Sequence, residues 1–71
     1  MISEAEAREI AGEWHGGQWS PLYAFCSSGT MVEGLEGEIA DCLRVVYPHS
    51  AEDIARLRSL KEYVDEHATQ S

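Results

Sequence analysis

The chain carries four side chains of the kinds that bind zinc in structural sites, at His15, Cys26, Cys42 and His49. Such sites use cysteine and histidine ligands, and two of the four usually lie close together in sequence. Here the separations are 11, 16 and 7 positions, so no close pair exists to form half a site locally. We therefore expect two free thiols and no bound metal or cofactor. A metal- or small-ligand-binding domain built on these four residues is the alternative interpretation.

Residue types used in catalysis are present, but not in a catalytic pattern. Nucleophilic catalysis needs a base beside the nucleophile and a third group that orients the base. Ser20, Cys26 and His15 match no such motif. The Gly16-Gly17 pair lacks the preceding strand, the following helix and the lysine of a phosphate-binding loop. The sequence thus predicts no catalytic residues and a protein that is not an enzyme.

An uncharged aromatic segment is the most distinctive feature of the sequence. No Asp, Glu, Lys or Arg lies between Trp14 and Val32. Four of the six aromatic residues fall within this segment, at Trp14, Trp19, Tyr23 and Phe25. Aromatic side chains bury the most area per residue, so one interpretation is that the whole cluster is core. Trp14 fits that interpretation because it ends the apolar face of the first predicted helix.

Crowding within this segment favours a second interpretation for the other aromatic residues. Trp19, Tyr23 and Phe25 cannot all point inwards from one short element, so part of the cluster is expected at the surface. A neutral aromatic patch rimmed by acidic residues is typical of a protein-binding surface. We expect a mixture of core and surface, with a contact surface drawn from Trp19, Tyr23, Phe25 and His15. Its expected occupant is a protein partner or a second copy of the chain.

The charge balance excludes several other classes of partner. Thirteen acidic and five basic residues give a net charge of −8, and Arg56, Arg58 and Lys61 alternate with acidic residues. Since nucleic acids bind through clustered Lys and Arg, we expect no direct nucleic-acid binding.

The chain has no apolar run long enough to span a membrane. Residues 1–13 lack the apolar stretch of a signal peptide, so we expect a cytoplasmic location.

Two helices are predicted around the aromatic segment. Ser3 is expected to cap the first helix, whose apolar face ends at Trp14 before the glycine pair. Ser20 and Pro21 form a start signal for a second, short helix that ends at Gly29. A β-hairpin over residues 23–34, turning at Ser28 and Gly29, is the competing interpretation.

A third helix is predicted from the spacing of apolar residues. Thr30 and Glu33 match a capping box, and Pro48 is expected to end the element. Gly34 and Gly37 each cost about 1 kcal/mol relative to alanine, which disfavours the first turns. The apolar residues at helical spacing are Val32, Leu35, Ile39, Leu43 and Val46.

The last predicted helix begins after Ser50, which is expected to act as its cap. Glu52 and Arg56 are spaced for an i, i+4 ion pair, and residues 67–71 are expected to fray. Its stripe consists of Ile54, Leu57, Leu60, Lys61 and Val64. The sequence as a whole predicts one all-α domain over residues 1–71, built from three to four short helices. At this length a domain buries only about 60% of the surface of its unfolded chain, so the core is expected to be thin.

Residues 14–25, followed by Ser27 to Gly29, read WHGGQWSPLYAF and SSG. This segment resembles short actinobacterial and actinophage proteins of unknown activity, and the resemblance spans residues 7–40. It implies a bacterial or phage origin and a cytoplasmic location, but no ligand and no catalytic residue. The residues themselves favour a non-enzymatic protein–protein interaction module, for which a regulatory role is one option.

Overall fold

The computed structural model describes residues 1–44 and 50–68 of the chain. It contains four α-helices: α1 (Glu4–Trp14), α2 (Pro21–Ser28), α3 (Leu35–Arg44) and α4 (Ala51–Ala68). The described residues form no strand, so the all-α prediction is confirmed and the hairpin over residues 23–34 is wrong. None of these helices is both long and apolar enough to cross a bilayer.

The start of α2 explains why this segment is helical. The Ser20 hydroxyl accepts a hydrogen bond of 3.2 Å from the Tyr23 amide, and Pro21 occupies the first turn. Proline there loses only an amide that would have no helical partner. At the other end, Gly29 adopts the left-handed conformation with φ of 78°, and its amide donates to the Phe25 carbonyl at 2.8 Å. The two end signals outweigh the turn residues that suggested a hairpin.

The third helix begins later than the capping-box pattern predicts. It starts at Leu35, after Gly34 adopts a φ of 93°, and Thr30 contacts the Ser28 hydroxyl at 2.9 Å instead of capping the helix. The predicted cap of Thr30 and Glu33 is therefore wrong, because the backbone at Gly34 has a positive φ and cannot continue a helix that starts at Thr30. Val46 and Pro48, expected to continue and end this element, lie outside the described residues.

The last helix is capped as predicted but paired differently. The Ser50 hydroxyl accepts a hydrogen bond of 3.0 Å from the Asp53 amide. Arg56 does not pair with Glu52; its Nη2 lies 2.7 Å from Oε2 of Glu13, since the packing of α1 on α4 brings that carboxylate within reach. The helix continues through His67, which the sequence placed in a frayed end.

The core lies where the four helices meet. α1 packs most closely on α2, and α3 on α4. Small residues make the first pairing close: Ala7 and Ala11 are fully buried. The rings of Phe25 and Tyr63, with centroids 6.1 Å apart, connect α2 to α4. The largest fully buried side chains are Phe25, Leu22, Ile39, Leu57, Leu60 and Val64.

Candidate interaction surface around Trp19

The connection between α1 and α2, residues 15–20, ends in a buried serine. Ser20 is only 7% exposed, and its amide donates a hydrogen bond of 3.1 Å to the Gly17 carbonyl. Its carbonyl in turn accepts from the Ala24 amide at 3.1 Å. The end of the connection thus joins the first turn of α2 directly. This junction fixes the backbone position of the preceding residue, Trp19.

A carboxylate from α3 anchors this connection from the other side. Oε1 of Glu38 accepts hydrogen bonds from the Ser20 hydroxyl at 3.1 Å and from the Leu22 amide at 2.9 Å. The carboxylate therefore satisfies an amide at the start of α2 that has no partner within the helix. A negative charge at this position also interacts favourably with the α2 dipole. Glu38 holds the α1–α2 connection against α3.

Trp19 lies on the outside of this anchored connection. Its side chain is 88% exposed, the highest exposure among the large hydrophobic residues that the structure describes. The indole nevertheless lies over the backbone of Gly17, where a methyl group would come within 3.2 Å of the ring. Gly17 has a φ of 152°, which L side chains rarely adopt. The glycine therefore gives the indole a backbone surface to lie against while its remaining surface faces solvent.

The other predicted surface residues divide between this connection and the core. His15 begins the connection and Tyr23 lies in the first turn of α2; both are half-buried, with ring centroids 5.2 Å apart in an edge-to-face contact. Nδ1 of His15 is buried without a hydrogen-bond partner in the described part of the chain. Phe25, by contrast, is 1% exposed and packs in the core, so it offers no surface to a partner.

The structure describes three of the four residues considered for zinc, and it does not gather His15, Cys26 and Cys42 into a metal-binding group. Over residues 1–44 and 50–68, no group of three or more His, Cys, Asp and Glu side chains could hold a metal ion. Cys26 donates to the Tyr23 carbonyl at 3.3 Å, and the Cys42 sulfur lies 3.9 Å from the Trp14 carbonyl. His49 lies outside the described residues.

The surroundings of Cys42 disfavour ionisation of its thiol. Burial raises the pKa of the Cys42 thiol, and the negative charges of Glu38 and Asp41 raise it further. The thiolate is the reactive and metal-binding form, so a raised pKa leaves little of it at neutral pH. Reactive thiol chemistry at this position is therefore disfavoured.

Two residues that shape this surface escaped the sequence interpretation. Glu38 reads as one more charge on an amphipathic helix, and its bond to Ser20 spans 18 positions, beyond any local pattern. Gly17 reads as part of a helix stop, although its close contact with the Trp19 ring is its more specific role.

Comparison with protein-family models, with curated proteins and with solved structures gives no significant match. The resemblance to actinobacterial and actinophage proteins stays a prediction. No residue of this surface acquires a role by similarity, and its function is inferred from its geometry.

Proposed function

We propose that this chain is a non-enzymatic protein–protein interaction module whose contact surface centres on Trp19, with His15 and Tyr23 at its edges. The observation that carries the proposal is an 88% exposed indole that lies close to Gly17 on a connection anchored by Glu38. Tryptophan is among the residues that most often dominate the binding energy of protein interfaces. Leaving one in water, in a domain with so little core, is difficult to explain by folding alone.

The anchoring of the connection supports the proposal energetically. Binding normally costs about 0.5–1.5 kcal/mol for each side chain that loses its rotamer freedom. The contact with Gly17 and the bonds made by Ser20 and Glu38 restrict the connection before any partner arrives. A pre-positioned indole loses less freedom on binding, so more of its burial energy contributes to affinity.

The proposal extends to the kind of occupant. The chain carries a net charge of −8, which disfavours nucleic acid and opposes its own association, so we propose a protein partner with neutral or basic character. If the experiment below shows self-association through this surface instead, the occupant is a second copy of the chain. A protein can regulate a partner by covering its surface, which needs no catalytic residue. We propose that this chain acts in the cytoplasm.

The test is a comparison of Trp19→Ala with Gln18→Ala, a matched change at the neighbouring exposed residue of the same connection. Sedimentation measures self-association, and immobilised protein measures the capture of partners from a bacterial extract. We expect Trp19→Ala to weaken the association by about 2 kcal/mol or more, the size of an interface hot spot. Gln18→Ala is expected to retain it.

Folding is measured in parallel, because a lost interaction can follow from a lost fold. The unfolding free energy of Trp19→Ala is expected to stay within about 1 kcal/mol of the parent, since the side chain is mostly exposed. A Trp19→Ala protein that is folded and associates as well as the parent would refute the proposal.

A further inference from the structure

A second surface feature is lined by residues outside the α1–α2 connection. The chain leading into α3 and the C-terminal part of α4 enclose a groove of about 410 Å³. This volume falls within the range of about 300–1,000 Å³ that is usual for binding pockets. The apolar residues of the lining are Val32, which is 37% exposed, half-buried Met31, and Leu35 and Val64, which are buried beneath. The groove can therefore accept an apolar group.

The polar side chains lining the groove are two carboxylates and one imidazole. Glu33 and Glu36 are both exposed and both contribute to the lining. Nδ1 of His67 lies 2.8 Å from the Tyr63 carbonyl, so that nitrogen carries the proton and donates it. In the neutral imidazole, Nε2 is then an acceptor. The side chains of the lining include neither lysine nor arginine.

A lysine beside the groove shows how a cation responds to these charges. The hydrogen bond to Asp65 at 2.7 Å raises the pKa of Lys61, with further increases from the charges of Asp65 and Glu36. Glu36 thus stabilises a positive charge near its own side of the groove. The Lys61 ammonium is bound by Asp65, and among residues 1–44 and 50–68 neither Glu33 nor Glu36 forms an ion pair, so both carboxylates can receive a cation from another molecule.

We propose that this groove binds a basic, apolar segment of a partner protein, with an aliphatic side chain over Leu35 and Val64 and a Lys or Arg beside Glu33 and Glu36. The warrant is charge complementarity around an apolar cavity. A second copy of this chain fits less well because it carries the same net charge of −8. The inference concerns a surface other than that of Trp19, and either can fail without the other.

The experiment titrates isotope-labelled protein with three short capped peptides and follows the backbone amide resonances by NMR. The first peptide alternates lysine and leucine, the second replaces lysine by glutamate, and the third replaces leucine by serine. We expect only the lysine–leucine peptide to bind, with shifts concentrated at residues 31–37, 64 and 67. Trp19→Ala is expected to leave this binding unchanged, which separates the groove from the surface proposed above.

Two matched double variants test the role of the rim charges. Glu33→Gln with Glu36→Gln is expected to weaken binding about five- to tenfold, the effect of losing two exposed ion pairs. Glu9→Gln with Glu62→Gln removes the same charge from exposed positions outside the lining and is expected to change it less than about twofold. All four carboxylates are exposed, so circular dichroism is expected to show an unchanged fold.

Three results would overturn the inference. Equal binding of the lysine–serine peptide would reduce the effect to general attraction by an acidic protein. Shifts centred outside the groove would place the interaction elsewhere. Concentration-dependent shifts at residues 31–37 without any peptide would show that a second copy of the chain covers the groove.

Discussion

The two connections that flank α2 are built on different principles. Residues 15–20 are anchored across the fold, because Glu38 from α3 binds both Ser20 and the first turn of α2. Residues 29–34 rely more on local features: a left-handed Gly29, hydroxyl contacts between neighbouring residues, and a positive φ at Gly34. The first connection presents one exposed aromatic side chain. The second forms part of the lining of a groove and contributes an acidic side chain to it.

The difference shows how a small domain can make specific surfaces with little core. A contact surface that depends on one exposed side chain gains affinity from an anchored backbone, and Glu38 of α3 provides that anchor here. A groove needs only the space left where a helix starts late, since α3 begins at Leu35 and not near Thr30. We therefore expect substitutions that remove hydrogen bonds between helices to lower the unfolding free energy more than substitutions that remove local contacts. This difference should separate the two connections most clearly.

The largest difference is expected when the anchor is removed. Glu38→Ala leaves the buried Ser20 hydroxyl and the Leu22 amide without their acceptor, and we expect a loss of about 2–4 kcal/mol. Thr30→Ala, in the second connection, removes one exposed local contact and is expected to cost less than about 0.5 kcal/mol. Urea denaturation measures both changes in unfolding free energy.

A milder variant separates the hydrogen bonds from the charge. Glu38→Gln keeps an acceptor oxygen but removes the negative charge, so it should retain part of the lost stability. Equal stability of Glu38→Ala and Thr30→Ala would show that the first connection is held locally, like the second.

These contrasts also explain what the sequence could reveal. Serine caps at Ser3, Ser20 and Ser50 are local features, and each one predicted the start of its helix correctly. The pattern of Thr30 and Glu33 looked equally good and was wrong, because Gly34 decided the local backbone. A capping pattern indicates where a helix can start, but a glycine with positive φ can prevent the helix from starting there.

Predictions for the candidate site were limited by tertiary structure. Of the four residues considered for the contact surface, Trp19 is largely exposed, His15 and Tyr23 are half-buried, and Phe25 is in the core. Composition indicated that some aromatic side chains were surplus to the core, but not which ones. That choice depends on how α2 packs on the other helices, and its start is bound by Glu38 from another helix.

Glycine substitutions are expected to change stability by smaller amounts and with opposite signs. Gly17→Ala places a methyl group against the Trp19 ring at a φ of 152°, so we expect a loss of about 1–2 kcal/mol. Gly37→Ala, in α3 with open space around it, should gain about 0.5–1 kcal/mol from helix propensity. Thermal unfolding of the two variants measures the signs, and a stabilised Gly17→Ala protein would contradict the packing of the indole on Gly17.

The smallest effect is expected from pH. The pKa values of Cys42, near the first connection, and of Tyr63 and Lys61 in α4 are all raised in the folded protein. The folded state therefore keeps its protons to higher pH than the unfolded chain. The associated stability is present below the ordinary pKa values, about 8.5–10.4, and is lost as the pH rises through the folded ones.

Urea titrations at neutral pH and at about pH 10 measure this loss, and Cys42→Ala serves as the comparison. We expect the parent to lose stability over this interval and the variant to lose less, since one of the three groups is gone. A parent protein that becomes more stable at alkaline pH would show the opposite sign and refute this linkage.

The central claim is that Trp19 is exposed and yet held in place. It is tested most directly by tryptophan fluorescence of a Trp14→Phe variant, in which Trp19 is the only indole. We predict that acrylamide quenches the emission almost as efficiently as it quenches free tryptophan, while the anisotropy stays close to that of the whole domain. Substituting Gly17→Ala in the same background should lower the anisotropy. Emission that is shielded from the quencher, or exposed emission with the low anisotropy of a freely rotating side chain, would contradict the claim.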